Sequence, residues 1–309
     1  MMTEMKYIYG PVPSRRLGLS LGISPIPKKT CNYSCIYCQL GRTNSMVNKR
    51  KMFFPVKSIM NEFDQVLSDH IKFDVVTIVG EGEPTLYLGL GELIMQIHKK
   101  TTVPVVVITN GALLYDPQVQ LELSEADIVM PSMDGYDNES FKKINRPHKD
   151  LSFTPINSGL EDFSRKYQGE LWLEIMLLKG INDDNESLAK YGAMLKNIRY
   201  DKLYLNTCVR PPAESFVIAV DHEKMNYAAE FLGGIPIDLL ASYGFHSEIK
   251  DDYLAIISII KRHPMNQFEI EGFLKARNCP NVDKILNQMK NDAKVNVISY
   301  KGYDTYRLS

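Results

Sequence analysis

The segment Cys31-Asn32-Tyr33-Ser34-Cys35-Ile36-Tyr37-Cys38 places three of the five cysteines within eight residues. Thiolates grouped in one loop are typical ligands of zinc or of iron-sulfur clusters. A structural zinc site usually has four ligands, and neither a histidine nor another cysteine stands near this loop in the sequence. Three ligands leave one corner of a 4Fe-4S cluster open to a small molecule. The segment therefore favours a catalytic cluster held by Cys31, Cys35 and Cys38, with a zinc site or chance spacing as the alternatives.

The composition is that of a globular protein with nearly balanced charge. The 309 residues include 36 basic and 37 acidic side chains, a net charge of -1, which argues against a chain dominated by nucleic-acid or membrane electrostatics. No run approaches the roughly 18 apolar residues of a membrane span, and the first residues lack an apolar signal core. We therefore expect a cytoplasmic protein without a membrane partner, whose clustered cysteines bind metal rather than form disulfides.

Around the cysteine loop, from about residue 18 to residue 206, short apolar runs alternate with segments of helical period. This alternation is typical of βα units around a parallel sheet, either a barrel or an open sheet. Six strands are predicted, at residues 19–24, 73–80, 103–110, 127–132, 171–178 and 202–206. Five helices are predicted, at residues 55–70, 90–99, 138–144, 154–166 and 185–196.

The pattern changes after about residue 250. Three helical segments, at 252–262, 266–276 and 281–289, precede two short strand candidates at 294–300 and 305–308. Three helices and a hairpin predict a winged-helix-like domain over residues 251–309, after a first domain over residues 1–250. Residues 250–309 carry ten basic and seven acidic side chains, about +3, which is mild for nucleic-acid binding. Three roles stay open for this domain: docking RNA or DNA, docking a protein or peptide, and packing against the first domain.

Polar and glycine-rich residues stand at the ends of the predicted strands. Gly80-Glu81-Gly82-Glu83, Thr109-Asn110-Gly111 and Ser132-Met133-Asp134 mark the second, third and fourth strand ends. Because the carboxyl ends of parallel strands carry the chemistry of α/β folds, these segments are the candidate site. Glu174 lies inside the fifth predicted strand, where an acid is costly unless it is paired. We expect Glu174 either at an exposed strand end or in contact with a partner.

The cysteine spacing resembles the cluster loop of the radical S-adenosylmethionine (radical SAM) superfamily. In that loop three residues separate the first two cysteines, and an aromatic residue, here Tyr37, precedes the third. The resemblance implies a partial (β/α)6 TIM-like barrel, a 4Fe-4S cluster and S-adenosylmethionine (SAM) as cofactors. It also implies cofactor contacts by Tyr37, Gly80, Gly82, Glu83, Asn110, Ser132, Asp134, Glu174 and Asn206.

Further motifs resemble a branch that is commonly grouped with the tRNA 4-demethylwyosine synthases. These motifs lie at residues 9–18, 39–41, 144–148, 179–183 and 210–214. The synthases use a second cysteine trio for a second cluster. Besides the three loop cysteines, this chain has only Cys208 and Cys279. The resemblance therefore supports radical chemistry and argues against wyosine formation, which stays an alternative.

Several basic residues lie in loops that flank the inferred site. The guanidinium fork suits phosphate and carboxylate groups, so these residues are candidate substrate ligands. They are Arg15, Arg16, Arg146, His148 and Arg210. An alternative for Arg15 and Arg16 is that they cap the bottom of the barrel or pair with its acids. The basic stretch at residues 46–52 is a second candidate for the edge of the substrate opening.

The function implied by the resemblance is reductive cleavage of SAM to a 5'-deoxyadenosyl radical that abstracts hydrogen from a substrate. We expect a macromolecular substrate, RNA or protein, docked by the C-terminal domain. A low-potential donor, ferredoxin or flavodoxin, would supply the electron. The alternatives are a non-catalytic nucleic-acid-binding regulator that carries a metal cluster and, among enzymes, an activase.

Overall fold

The computed structural model describes residues 5–237, 245, 247, 249–261, 263–300 and 302–308. Within these residues the strands are β1 (Ile8–Ser14), β2 (Gly18–Ile23), β3 (Thr30–Cys31), β4 (Ser45–Met46), β5 (Val75–Ile78), β6 (Val105–Thr109), β7 (Ile128–Pro131), β8 (Glu170–Met176), β9 (Lys202–Asn206), β10 (Ile235–Pro236), β11 (Met265–Asn266), β12 (Val295–Tyr300) and β13 (Tyr303–Leu308). The helices in the same residues are α1 (Val56–Ser68), α2 (Leu90–His98), α3 (Pro117–Leu123), α4 (Asn138–Asn145), α5 (Phe153–Lys166), α6 (Asn185–Leu195), α7 (His222–Leu232), α8 (Asp252–Ile260), α9 (Gln267–Ala276) and α10 (Val282–Asn291).

The central sheet is built on parallel strands in chain order. Its strand order is β1-β2-β5-β6-β7-β8-β9-β10. All neighbours from β2 to β10 pair in parallel, while β1 lies antiparallel along β2. The six strands β2, β5, β6, β7, β8 and β9 correspond to the six predicted from the sequence. The predicted parallel α/β fold is therefore confirmed.

Both faces of the sheet are buried, because alternate side chains enter two different apolar cores. Val76 and Leu173 belong to the larger core beneath the helices, whereas their neighbours Val75 and Trp172 belong to a smaller core on the opposite face. A strand with apolar residues on both faces is expected where helices cover one side and the sheet curves around the other. This arrangement is consistent with a partial TIM-like barrel.

Several elements of this region are not anticipated from the sequence, namely the strands β1, β3, β4 and β10 and the helices α3 and α7. Pro11 and Pro13 argue against a strand, but they are tolerated in β1 because it lies at the sheet edge. The helix α3 has only seven residues, too few for a clear helical period. Its start is fixed locally by Asp116, whose carboxylate accepts a hydrogen bond from the Gln118 backbone N–H.

The described residues after 250, called here the terminal unit, surround a further apolar core. Its helices α8, α9 and α10 and its antiparallel sheet, ordered β11-β13-β12, surround Ile256, Ile270 and Tyr306. The three predicted helices and two strands are present, although residue 262, the last of the first predicted helix, lies outside the described residues. Val12 of β1 joins the same core, so the terminal unit packs against the sheet edge. No helix among the described residues is both long and apolar enough to cross a bilayer.

Candidate active site

The three loop cysteines lie at the carboxyl edge of the parallel sheet, in the segment that follows β2. Within this segment β3 and β4 pair in parallel, and Cys38 closes a turn by donating its backbone N–H to the Cys35 carbonyl at 3.1 Å. The next turn ends at Gly41, whose N–H bonds the Cys38 carbonyl at 3.0 Å. Gly41 has a φ of +85°, a conformation that favours glycine. This turn accounts for the glycine at the end of the 39–41 motif.

The motif at residues 144–148 is the backbone support of the cysteine loop. Ile36 donates its N–H to the Ile144 carbonyl at 2.9 Å, and His148 donates its N–H to the Asn32 carbonyl at 2.8 Å. Tyr33 and Pro147 also form a β-bridge. These bonds hold the loop against the end of α4. The residues of the motif are therefore explained by this structural role, without any ligand.

Side-chain amides donate to two of the three sulfur atoms. Asn110 Nδ2 lies 3.7 Å from Cys31 Sγ, and Asn145 Nδ2 lies 3.4 Å from Cys35 Sγ. Burial is the main cause that raises the pKa of each loop thiol, to about 12 for Cys31. The thiols are therefore protonated unless a cationic centre stabilises their thiolate forms.

The Glu83 carboxylate connects the cysteine loop to two strand ends. It is buried and accepts hydrogen bonds from Thr109 Oγ1 at 2.6 Å, Asn110 N–H at 2.7 Å and Thr85 Oγ1 at 2.7 Å. Burial raises the pKa of Glu83 despite these donors, and the Glu83 charge in turn raises the pKa of Cys31. Glu83 thus lies beside the first cysteine and orients Asn110 toward it.

The two glycines of the 80–83 segment are required by close packing. A Cβ atom on Gly82 would lie 1.8 Å from the Thr30 carbonyl oxygen, and one on Gly80 would lie 2.8 Å from the Gly82 carbonyl oxygen. The Thr30 oxygen also accepts the Glu83 N–H at 3.1 Å. Glycine at these positions lets the end of β5 touch the backbone directly before Cys31.

A second buried carboxylate, that of Asp134 after β7, connects the Cys35 side of the cysteine loop to the sheet. The Tyr37 hydroxyl donates to Asp134 Oδ2. Asn145 Nδ2 donates to the same oxygen at 3.0 Å, and the Met176 N–H donates to Oδ1 at 3.1 Å. Burial raises the pKa of Asp134. One carboxylate therefore joins the cysteine loop, the end of α4 and the end of β8.

These contacts bring the strand ends and the cysteine loop into one site. Asn110, Ser132 and Asp134 line a common small cavity, together with Tyr33 and Asn145. No three His, Cys, Asp or Glu side chains among the described residues are grouped for a single metal ion. Three soft thiol donors in one loop, two of them receiving amide N–H groups, are nevertheless the ligand chemistry of an iron-sulfur cluster. The residues present fit a 4Fe-4S cluster.

A comparison with protein-family descriptions matches residues 26–192 to the radical SAM superfamily. The chain belongs to the radical SAM superfamily. It is therefore an enzyme that uses a 4Fe-4S cluster and SAM, and the resemblance inferred from the cysteine loop is confirmed.

Curated relatives and a solved structure are also similar to this chain. The chain is 35% identical to the UPF0026 protein MJ1312 of Methanocaldococcus jannaschii over 96% of the chain and 94% of that protein, so it also belongs to the UPF0026 family. It is 40% identical to a protein named GTPase Obg of Brachyspira hyodysenteriae over 74% of the chain but only 34% of that protein. The structure of TYW1 with a lysine-pyruvate adduct bound is similar in fold, with a TM-score of 0.53 and 21% identity, over 70% of this chain and 74% of that one.

Glu174 of this radical SAM barrel has partners, which is one of the two alternatives that the sequence left open. Its Oε1 accepts a hydrogen bond from Asn206 Nδ2 at 3.0 Å, and its Oε2 contacts the Arg16 guanidinium. The Arg16 and Glu174 side chains are only 18% and 15% exposed. The structure thus brings together two predicted cofactor ligands and one predicted substrate ligand. It also bears out the alternative in which Arg16 pairs with a barrel acid.

The predicted basic residues do not form one cluster in the described structure. Arg146 contacts the carboxylate of Glu214, which also pairs with Arg42 at 2.8 Å, and this group lies over the cysteine loop. His148 lies near Asp150, with 3.4 Å between Nδ1 and Oδ2. Arg146 and His148 therefore each have an acidic partner of their own.

Arg210 connects the barrel to the terminal unit. Its Nε donates to the Pro264 carbonyl at 2.6 Å, and its Nη2 lies 3.1 Å from Glu269 Oε1 and 2.8 Å from His263 Nε2. Burial and the Arg210 charge lower the pKa of His263 well below its ordinary value. Arg15 lies within electrostatic reach of Arg210 and Glu269. The contacts of Arg210 account for the motif at residues 210–214 by packing between the two units.

Residues 46–52 were expected to border the substrate opening. The structure corrects this expectation for Arg50, the central cation of the stretch. The guanidinium of Arg50 is largely buried, pairs with Glu122 and donates to the Thr85 and Tyr87 carbonyls at 2.8 and 3.0 Å. It is therefore bound to the barrel rather than directed to a substrate. The sequence did not reveal this role of Arg50, because its partner Glu122 is 72 residues away.

Two residues of the site are not singled out from the sequence. Asn145 contacts both Cys35 and Asp134, and Glu214 holds two arginines while its N–H bonds the Ile36 carbonyl at 3.0 Å. Both residues lie inside motifs noted in the sequence, at residues 144–148 and 210–214, and this position was the signal that could have identified them. Their roles depend on distant partners, which the motifs alone do not reveal.

Proposed function

We propose that the chain cleaves SAM reductively and uses the resulting radical on a macromolecular substrate, RNA or protein. Cys31, Cys35 and Cys38 would hold the 4Fe-4S cluster. When bound, the cluster and SAM supply methionine and a 5'-deoxyadenosyl radical at the cost of one electron, and the radical takes a hydrogen atom from the substrate. Ferredoxin or flavodoxin is the proposed electron donor.

The main support for this proposal is that the ends of β5, β6 and β7 are all connected to the cysteine loop. Glu83 and Asn110 lie at the Cys31 side, while Asp134 and Tyr37 lie at the Cys35 side. A cofactor placed over the loop would thus meet polar groups that are already held by hydrogen bonds, which limits their reorganisation during the reaction.

The proposed SAM contacts divide into two groups. Glu83 and Asp134 accept several protein hydrogen bonds each, so we assign them mainly to positioning the loop and the neighbouring amides. Gly80, Gly82, Asn110 and Ser132 provide backbone and side-chain groups near the cysteines, and Tyr37, Glu174 and Asn206 complete the set along the remaining strand ends. Of the predicted substrate ligands Arg15, Arg16, Arg146, His148 and Arg210, we retain Arg16 as the leading candidate, because it alone pairs with a residue of the predicted SAM set.

We further propose that residues 251–309 are a winged-helix-like module that docks the substrate and that residues 1–250 are the partial barrel. Support comes from the order of three helices followed by the β12–β13 hairpin. In α10 the polar side chains of Asp283, Lys284 and Asn287 are exposed, while Met289 is buried. An exposed polar helix face is suited to a macromolecular partner. RNA and proteome mass spectra of a gene-deletion strain, compared with the parent, would identify the substrate.

Wyosine formation is the less favoured alternative. Cys208 is buried in a cluster with Ile36, whereas Cys279 packs against the core of the terminal unit. The two remaining thiols therefore lie in different cores, which supports the proposal of a single cluster.

The cleavage step is tested by reconstituting the protein anaerobically with iron and sulfide, adding dithionite and SAM, and measuring 5'-deoxyadenosine. We expect 5'-deoxyadenosine from the wild type and none from Cys35→Ala, whose circular dichroism should remain that of the folded chain. A preference for zinc over the cluster, or a complete cluster that does not cleave SAM, would contradict the proposal.

A further inference from the structure

The side-chain amide of Asn145 lies between a cysteine sulfur and a carboxylate. Its Nδ2 atom is 3.4 Å from Cys35 Sγ and 3.0 Å from Asp134 Oδ2. A thiolate and a carboxylate both accept hydrogen bonds, and of the two amide atoms only the nitrogen donates. Reversing the amide would place its oxygen against two acceptors, so these contacts assign the nitrogen to this side of the group. The two hydrogens of the NH2 group therefore have one acceptor each.

The backbone around Asn145 fixes its distance from Cys35. Asn145 is the last residue of α4, and its carbonyl accepts the Ser34 N–H at 3.0 Å. The Ile144 carbonyl accepts the Ile36 N–H at 2.9 Å. Ser34 and Ile36 are the two neighbours of Cys35 in the chain, so the end of the helix is bonded to the loop on both sides of this cysteine.

The contact between the amide and the sulfur is shielded from solvent. Asn145 and Asp134 are each only 3% exposed. At such a site a hydrogen bond to a charged acceptor is stronger than at a solvated surface, because water neither competes for the donor nor screens the charge. The amide is thus a fixed partial positive charge between two groups that are negative when Cys35 is a cluster ligand.

The donors to the sulfur atoms of Cys31 and Cys35 differ in kind. Cys31 Sγ accepts the Tyr33 backbone N–H at 3.4 Å, and the Asn110 amide lies farther away, at 3.7 Å. Cys35 Sγ instead has a side-chain donor at 3.4 Å. A backbone N–H is present with almost any residue, whereas a side-chain N–H depends on the amino acid. The contact to Cys35 can therefore be removed by a single substitution.

We propose that Asn145 raises the reduction potential of the cluster through its hydrogen bond to Cys35. This inference rests on the proposed function, because it requires a 4Fe-4S cluster at the three cysteines. Reduction makes the cysteine sulfurs more negative, so an N–H donor stabilises the reduced state more than the oxidised state. The cluster gains one electron from the low-potential donor of the proposed function, and Asn145 itself transfers neither an electron nor a proton.

This role adds to the support that the 144–148 motif gives the loop. The backbone hydrogen bonds of the motif form whichever side chain stands at position 145. The amide contributes a donor to a cluster ligand, which those backbone bonds do not supply. A less negative cluster potential makes reduction by a flavodoxin or ferredoxin more favourable, so the amide would act on the electron-entry step of the reaction.

The test compares the wild type with Asn145→Leu, which keeps a branched side chain of similar size and removes both donated hydrogen bonds. Each protein is reconstituted anaerobically with iron and sulfide and titrated with dithionite in the absence of SAM. Electron paramagnetic resonance of the reduced cluster gives the midpoint potential. We expect the equilibrium constant for reduction to fall about tenfold in Asn145→Leu, a shift of about 59 mV to a more negative potential for a one-electron couple.

Asn182→Leu is the matched control for a general loosening of the site. Asn182 is also a buried amide, and its Nδ2 donates to the Met176 carbonyl and to the Tyr191 hydroxyl, both at 2.9 Å. Its hydrogen bonds in the described structure join it to the end of β8 and to α6 rather than to a cysteine sulfur. We expect its midpoint potential to equal that of the wild type, even though the loss of these bonds lowers its stability.

Each outcome decides the proposal. An unchanged or less negative potential in Asn145→Leu would overturn it, and so would an equal shift in Asn182→Leu. If Asn145→Leu binds too little iron for the titration, Asn145→Ala takes its place. Failure of both variants to hold a cluster would assign Asn145 to cluster assembly and would also overturn the proposal. The proposed function fails separately if the wild type holds a cluster and shows the difference in potential, yet forms no 5'-deoxyadenosine from SAM.

Discussion

The hydroxyl of Tyr37 donates a hydrogen bond to the carboxylate of Asp134, which joins the residue before the third cysteine to the end of β7. Asp134 is buried and also accepts from Asn145 and from the Met176 backbone. The cysteine loop is thereby fixed relative to the sheet by side chains that are far apart in the sequence.

Replacing Asp134 with Asn should weaken the attachment of the cysteine loop. An amide has one acceptor oxygen where the carboxylate has two, and its NH2 group would face a donor. We expect a loss of about 1 to 3 kcal/mol in the free energy of unfolding and less iron bound after reconstitution. Urea unfolding and iron and sulfide analysis would measure both effects. Tyr37→Phe removes a single bond and should cost about 1 kcal/mol. Wild-type stability and iron content in Asp134→Asn would show that the contact is not needed.

Adding a single methyl group at Gly82 should disrupt the loop. The new Cβ would lie 1.8 Å from the Thr30 carbonyl oxygen, so the backbone before Cys31 must move. We expect Gly82→Ala to lose about 3 kcal/mol of stability, together with most of its capacity to bind iron. Gly192→Ala is the control, because a Cβ there meets only Leu232 at 3.8 Å and alanine favours the helix. Thermal unfolding of both variants measures the contrast, and equal stability would refute the packing argument.

Removing one partner of the pair between Arg16 and Glu174 should cost more than removing both. Each side chain is mostly buried, so Glu174→Gln leaves the Arg16 charge without its counterion. We expect that variant to lose about 3 kcal/mol in urea unfolding. The double variant Arg16→Met/Glu174→Leu should recover part of this loss. A double-mutant cycle without coupling between the two sites would exclude the pair as a stabilising contact.

The Glu214 group should make stability depend on acid pH. Hydrogen bonds from Arg42 lower the pKa of Glu214 from 4.5 to about 2, with a further contribution from Arg146. Because the folded-state pKa is depressed, this stabilisation is complete above the unfolded value of 4.5 and is lost as the pH falls toward 2. Urea unfolding of the cluster-free protein between these values should show a decline that is smaller in Glu214→Gln. A decline of equal size in both proteins would assign it to other carboxylates.

The chemistry class was predictable because its signal is local. Three cysteines and Tyr37 occupy one loop, so their spacing is visible without the fold. The six parallel strands were also predictable, since strands buried on both faces produce continuous apolar runs. The edge strand β1 was missed because its prolines contradict strand propensity and are tolerated only by its position in the sheet.

The arginines predicted as substrate ligands have acidic partners that the sequence did not reveal. Arg16, Arg146 and Arg210 stood in comparable loops, yet the fold pairs them with Glu174, Glu214 and Glu269, respectively. Each pair joins residues that are more than fifty positions apart, so no local pattern could identify the acid that neutralises each arginine.

The amino-acid sequence by itself determined the superfamily, the cofactors and the positions of the six parallel strands along the chain, because each depends on spacing or periodicity within a short segment. Only the tertiary structure decided which carboxylates organise the loop, which arginines are neutralised, and that Arg307 of the terminal unit donates to the carbonyl of Gln39, the residue after Cys38. The physical reason is that buried charges and hydrogen bonds depend on which groups the fold brings within a few ångströms of each other, and those groups are remote along the chain.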